Sequence, residues 1–128
     1  MMTDFGVRYI VDDVDDAVEF YTRNLGFEVV MRPGRGFAML HRGDLALLLN
    51  TPQGGGGAGQ RLPDGQLPEP GGWNRFQLRV DDLDSVVDAL RGAGVDFRGD
   101  VIEGRGGRQA LAVDPAGNLV ELFQAFTT

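Results

Sequence analysis

Ile10-Val11-Asp12-Asp13-Val14-Asp15-Asp16-Ala17-Val18 and Arg79-Val80-Asp81-Asp82-Leu83-Asp84-Ser85-Val86-Val87 are two versions of one phrase, separated by 69 positions (79 against 10). A repeat at a fixed offset is the signature of a duplicated structural unit. The likeness continues downstream, where Leu25-Gly26-Phe27-Glu28-Val29 faces Ala93-Gly94-Val95-Asp96-Phe97 with one position lost. Farther on, Gly43-Asp44-Leu45-Ala46-Leu47-Leu48 faces Gly117-Asn118-Leu119-Val120-Glu121-Leu122. The chain is two copies of one module.

Each copy takes its secondary structure from its period. Val7, Tyr9 and Val11 alternate with Gly6, Arg8 and Ile10, as Phe76, Leu78 and Val80 alternate with Arg75, Gln77 and Arg79, the pattern of half-buried strands. Val14, Ala17, Val18, Tyr21 and Leu25, and then Leu83, Val86, Val87 and Leu90, fall at helical spacing behind Asp13 and Asp82 as N-caps, with Gly26 and Gly94 as left-handed stops. Three extended runs follow in each copy: 27–31, 37–42 and 45–50, then 95–102, 108–113 and 118–126. Gly43-Asp44 and Pro115-Ala116-Gly117-Asn118 supply the hairpin turns between the last two. The expected class is α+β, two tandem βαβββ modules at about 5–51 and 73–126. Between them, 51–72 holds eight Gly and four Pro, including Gly54-Gly55-Gly56-Gly57, a composition that supplies no apolar face and reads as a linker over 52–72 or a lid.

Composition closes many catalytic classes. The 128 residues contain no Cys, no Lys, one His (His41) and one Ser (Ser85). Thiolate nucleophiles, zinc-thiolate sites, Schiff bases and P-loop lysines are thereby excluded. Ser85 lies in an acidic helical stretch without nucleophile-elbow glycines, so no serine triad is expected. A net charge of −7, from 12 basic and 19 acidic residues, disfavours nucleic acid and anionic membrane surfaces as partners. No apolar run reaches the roughly 20 residues of a membrane span, and Met1-Met2-Thr3-Asp4-Phe5 does not begin a secretory signal, so a cytoplasmic location is expected.

The doubled module, the run Phe20-Tyr21-Thr22-Arg23-Asn24-Leu25-Gly26-Phe27 and the closing Asp114-Pro115-Ala116-Gly117-Asn118-Leu119-Val120-Glu121-Leu122 together resemble the vicinal oxygen chelate superfamily of glyoxalase I, bleomycin-resistance proteins and extradiol dioxygenases. That resemblance implies cupped mixed sheets around a ligand cavity, commonly in a homodimer. In metal-using members it implies metal ligands from the first and last strands of each module. Carried over one by one, those positions fall on Gly6 or a neighbour, Leu47, Arg75 and Glu121. Only Glu121 is a donor; Val7, Asn74 and Phe76 restore no imidazole, and a guanidinium repels a divalent ion. No metal and no cofactor are expected.

If the apolar members of the first strands face the helices, Gly6, Arg8, Ile10, Arg75, Gln77 and Arg79 face the cavity, joined by Leu45, Leu47, Leu49, Leu119, Glu121 and Phe123. The expected ligand-binding set is Arg8, Phe37, Met39, His41, Leu47, Trp73, Arg75, Gln77, Glu121 and Phe123. Phe37 and Met39 are equally explained as core, Trp73 as a packing residue and His41 as an edge residue beside a turn. The paired aspartates at 12–16 and 81–84 sit where helix dipoles favour carboxylates. Gly104-Arg105-Gly106-Gly107 reads as a hairpin tip, since no helix follows it. The leading expectation is a metal-free homodimeric protein of the bleomycin-resistance type that sequesters an aromatic small molecule. The competing ones are a lyase, isomerase or dioxygenase using Glu121 as base, and a degenerate module that only mediates association.

Overall fold

The computed structural model describes residues 4–54 and 57–126; Met1-Met2-Thr3, Gly55-Gly56 of the glycine run and Thr127-Thr128 lie outside the described residues. The chain divides into two compact units, Met1–Gly71 and Gly72–Thr128, each carrying its own sheet and helix.

Unit 1 runs β1 (Gly6–Ile10), α1 (Val14–Leu25), β2 (Glu28–Met31), β3 (Phe37–Arg42) and β4 (Leu45–Asn50). Its sheet has the order β1-β4-β3-β2, with β1 parallel to β4 and the remaining pairs antiparallel. The helix starts where the Asp13 carboxylate accepts the Asp16 N–H at 3.1 Å, satisfying one of the donors that a helix start leaves unpaired. Its apolar stripe of Val14, Ala17, Val18, Tyr21 and Leu25 is buried, as are Tyr9, Ala38, Leu40, Leu47 and Leu49 of the sheet. Removing each such large side chain from water contributes about 1.5 to 3 kcal/mol. Tyr21 meets Phe27 edge to face at 5.5 Å.

Unit 2 runs β5 (Arg75–Arg79), α2 (Leu83–Gly92), β6 (Asp96–Phe97), β7 (Ile102–Glu103), β8 (Gly107–Val113) and β9 (Leu119–Ala125). The order is β5-β9-β8-β6, with β7 also on β8 and β5 parallel to β9. The single strand expected over 95–102 is two short ones, because the chain turns at Gly99, whose φ is 77°. The helix cap is Ala93, with Gly94 just beyond it; the Gly94 N–H reaches Arg91 O at 3.0 Å and the Val95 N–H reaches Leu90 O at 2.9 Å, the paired bonds of a Schellman stop. Ser85 sits in the first turn of α2, where its backbone N–H and hydroxyl both donate to the N-cap Asp82, at 3.2 and 2.8 Å.

The described part of the glycine- and proline-rich segment folds back on unit 1 as a chain of turns. Thr51 N–H donates to Gly36 O, Gly54 N–H to Thr51 O and Leu62 N–H to Gln66 O. A Cβ at Gly59 would stand 2.6 Å from Gly54 O, so close backbone approach demands glycine there. At this position the glycine serves close packing of the backbone.

Candidate functional site

In each unit the parallel pair of first and last strands fixes which side chains share the face turned away from the helix. In unit 1 Arg8 stands beside Leu48, which stands beside Met39; Gly6 stands beside Ala46, which stands beside His41. Ile10 and Phe37 flank Asn50 in the same way. On the opposite, helix-packed face Val7 pairs with Leu47 and Leu47 with Leu40, and Leu47 and Leu49 are wholly buried. The expected placement of Leu45, Leu47 and Leu49 on the open face is therefore corrected: Leu48, not Leu47, is the counterpart of Glu121. The slip arose from matching Gly43 to Gly117 across turns of different length. Two residues separate β3 from β4, whereas five separate β8 from β9.

Arg8 donates through Nη1 to Asn50 Oδ1, and Asn50 is buried at 1 % exposure. Sequence reasoning missed Asn50; its signal was a polar residue two positions along from Leu48, hence on the same face. His41 has a buried Nδ1 with no hydrogen-bond partner among the described residues. Phe37, Met39 and His41 are half-buried on that face.

The open face of unit 2 is more polar. Glu121 stands beside Gln77 and Leu111, and Phe123 beside Arg79 and Gln109. Glu121 Oε1 accepts from Arg75 Nε at 3.0 Å and pairs with Arg75 Nη2 at 3.0 Å, while Oε2 accepts from Gln77 Nε2 at 2.7 Å. The pair is partly shielded, with side chains 27 % and 12 % exposed, so these charge-assisted bonds are stronger than a solvated surface pair. Arg79 lies over the Phe123 ring, 5.6 Å from its centre. Trp73, 65 % exposed, carries Arg98 over its ring at 4.6 Å. Its carbonyl accepts from Arg75 Nη1 at 3.4 Å.

The loop that delivers Glu121 is built around a buried carboxylate. Asp114 Oδ1 accepts the N–H groups of Ala116 and Asn118 at 2.9 and 2.8 Å, and Oδ2 accepts from Asn118 Nδ2 at 3.2 Å. Asp-Pro-x-Gly-Asn is thus a self-satisfied turn that fixes the register of β9. The acidic helix starts are structural too. Asp15 pairs with Arg32 and Asp84 takes two donors from Arg108 at 3.1 and 2.9 Å, which hold the Asp84 carboxyl below its ordinary value.

The family model for the glyoxalase/bleomycin resistance protein/dioxygenase superfamily matches residues 6–122. The chain belongs to that superfamily. Among solved structures it is similar to TnmS3, an antibiotic binding protein from Streptomyces sp. CB03234, at 27 % identity, 98 % coverage of both chains and a TM-score of 0.71. It is also similar to a superfamily member from Sphaerobacter thermophilus DSM 20745, at 25 % identity, with 97 % of this chain and 98 % of that one covered and a TM-score of 0.73. A lactoylglutathione lyase from Agrobacterium tumefaciens shares the fold at 24 % identity, with 97 % and 92 % covered and a TM-score of 0.72. A comparison with curated proteins gives no significant match.

The superfamily's metal-using members make the metal question concrete. The residues at the corresponding places do not fit a divalent ion. Leu48 has no donor atom, Arg75 is a cation, and both oxygens of Glu121 are already engaged. Among the described residues no three His, Cys, Asp or Glu come together as a possible metal cluster. Among the described residues no helix is long and apolar enough to cross a membrane.

Proposed function

We propose that this superfamily member is a metal-independent binding protein for a planar or aromatic small molecule, acting as a cytoplasmic homodimer. The observation that carries the reading is the state of Glu121. The one carboxylate at a ligand position of the metal-using relatives is held by Arg75 and Gln77, so a metal would have to displace a guanidinium, and a substrate proton would meet lone pairs already in use. Around it the open face offers what small-molecule sites are made of, apolar and aromatic surface with a few directed polar groups: Leu111, Phe123, Gln77 and Arg79. The likeness to an antibiotic binding protein over 98 % of both chains supports the same reading.

Calorimetric titration of chelator-treated protein with a panel of planar aromatic antibiotics tests it. Saturable binding that is unchanged by added divalent metal is expected, with a dimer in sedimentation equilibrium. Turnover of a hemithioacetal or catechol that disappears in Glu121→Gln would replace this reading with the enzymatic one. Absence of binding and of turnover, with association intact, would favour a module that only mediates assembly.

A further inference from the structure

Arg79 differs from Arg75, its neighbour on the same strand and face. Arg75 is neutralised by Glu121, but Arg79 has no ion pair among the described residues, and its contact is the Phe123 ring, as that of Arg98, which follows β6, is the Trp73 ring. A guanidinium lying over an aromatic ring uses its π-face, which leaves the N–H groups along its perimeter free to donate. The ring beneath it is fixed from the other direction. A Cβ on Gly107 would come within 2.8 Å of Phe123 Cζ, so glycine at 107 lets the ring settle against the β8 backbone. Gln109 stands beside Phe123 on the same face, and Gln77 two residues before Arg79, so the neighbours in register are neutral amides. Glu121, the acidic group on the neighbouring strand, is spoken for by its two donors, and Asp96, an exposed carboxylate on the same face, stands beside Val113 on β6, three strands from Arg79.

Resting on the binding reading above, we infer that the unit 2 face takes a planar aromatic ligand carrying an anionic oxygen group, a carboxylate, sulfonate or ionised phenol, and that Arg79 receives it. The specificity is local. The net charge of −7 acts at long range, where about 8 to 10 Å of physiological salt solution screens it, whereas a guanidinium in contact with an anion is screened far less. A ligand cation beside Phe123 would meet the Arg79 guanidinium, which repels it, and the Glu121 carboxylate, which is already engaged.

Three matched probes decide the matter: 2-naphthoate, its neutral analogue 2-naphthamide and the cation 2-naphthylmethylammonium, each titrated calorimetrically into the intact chain, Arg79→Gln and Arg35→Gln. Arg35 is exposed in unit 1 and its substitution changes net charge by the same amount. The expected result is that naphthoate binds most tightly, and that Arg79→Gln weakens it about tenfold, as loss of a charge-assisted fork should. The amide is to change less than about twofold, and Arg35→Gln to leave both unchanged. Circular dichroism of the variants confirms that Arg79→Gln is folded. Equal binding of acid and amide, or equal losses of the two in Arg79→Gln, overturns the inference while the binding reading stands. Failure of all three probes overturns both.

Discussion

The two units run the same order of strand, helix and returning strands, yet the equivalent row across their open faces carries different chemistry. In unit 1 the row is Arg8, Leu48 and Met39; in unit 2 it is Gln77, Glu121 and Leu111. The cation of unit 1 therefore finds a neutral partner farther along β4, the Asn50 amide, whereas the carboxylate of unit 2 finds a cation and an amide on β5. The parallel pairing of first and last strands sets only the register. A duplicated scaffold can then carry a metal cage, a greasy row or an ion pair at one place, and here the ionic chemistry sits on unit 2.

The sharpest way to break the comparison is at the turns. Asp114 is a buried carboxylate holding a five-residue connection, while Asp44 is exposed in a two-residue one. Asp114→Ala removes three charge-assisted bonds and strands buried N–H groups, which costs about 3 kcal/mol. Asp44→Ala is expected within about 0.5 kcal/mol of the parent. Urea unfolding followed by Trp73 fluorescence reads the difference, since the chain has one tryptophan and it lies in unit 2. Equal losses would mean that the Asp-Pro-x-Gly-Asn turn is a passive connection.

Next comes close packing. Gly107→Ala drives a methyl into the Gln124 carbonyl and the Phe123 ring, an overpacking cost of about 2 kcal/mol. At Gly6 in unit 1 the nearest heavy atom to a new Cβ is Ala46 O at 3.2 Å, and Gly6→Ala is expected to cost less than about 1 kcal/mol. The same unfolding curves test both. If Gly107→Ala is neutral, Phe123 is free to move, and the platform beneath Arg79 is not preorganised.

Breaking the ion pair should matter less. Arg75→Ala leaves Glu121 with Gln77 as its remaining partner; removing a side chain that is itself 27 % exposed opens the 12 % exposed carboxylate to water, which replaces part of the loss, and about 1 kcal/mol is expected. Glu121→Leu, which makes the position resemble unit 1, is expected within about 1 kcal/mol of the parent, because a partly buried pair and a packed alkyl group are nearly equivalent in stability. A larger loss for Glu121→Leu than for Arg75→Ala would show that Glu121 anchors more than its two neighbours.

What the sequence made legible follows from the same contrast. The repeat of Asp12-Asp13 and Asp81-Asp82 located both helix starts, because N-caps are local chemistry. The alternation of Phe76, Leu78 and Val80 against Arg75, Gln77 and Arg79 placed the polar face of unit 2 correctly, because strand period is local too. Register between strands is not local. Leu45-Ala46-Leu47-Leu48-Leu49 is apolar throughout, so nothing within the strand shows which members are buried, and the turn glycine used to align it belongs to a connection of another length. The error of one residue moved Leu47 to the wrong face, since strand neighbours point to opposite sides. Asn50 and the tight packing of Gly59 escaped for a related reason, as both depend on partners remote in the chain. The membership of Arg8, Gln77, Glu121 and Phe123 in the open faces needed only the period.

The smallest difference between the units is at the two helix starts, and it is measurable as a titration. Asp13 is followed by Asp16 at the capping position, whereas Asp82 is followed by Ser85, whose hydroxyl adds a second donor at 2.8 Å. The Ser85 hydroxyl, then its backbone N–H, hold the Asp82 carboxyl below its ordinary value, and the Arg108 fork does the same for Asp84. A depressed folded-state value means that the unfolded chain binds protons first as pH falls. The stabilisation is therefore present above the ordinary carboxylate range and is lost as pH drops through the lowered folded values. Carboxyl chemical shifts followed by NMR from pH 6 to pH 2 should show Asp82 and Asp84 titrating late in the parent. In Ser85→Ala the Asp82 titration should move up toward its ordinary value while Asp84 holds. In Arg108→Gln the larger movement should be at Asp84. Because both carboxylates are exposed, the accompanying change in acid stability is expected to be slight. An Asp82 that titrates normally in the parent would reduce the difference between the two caps to one of sequence alone.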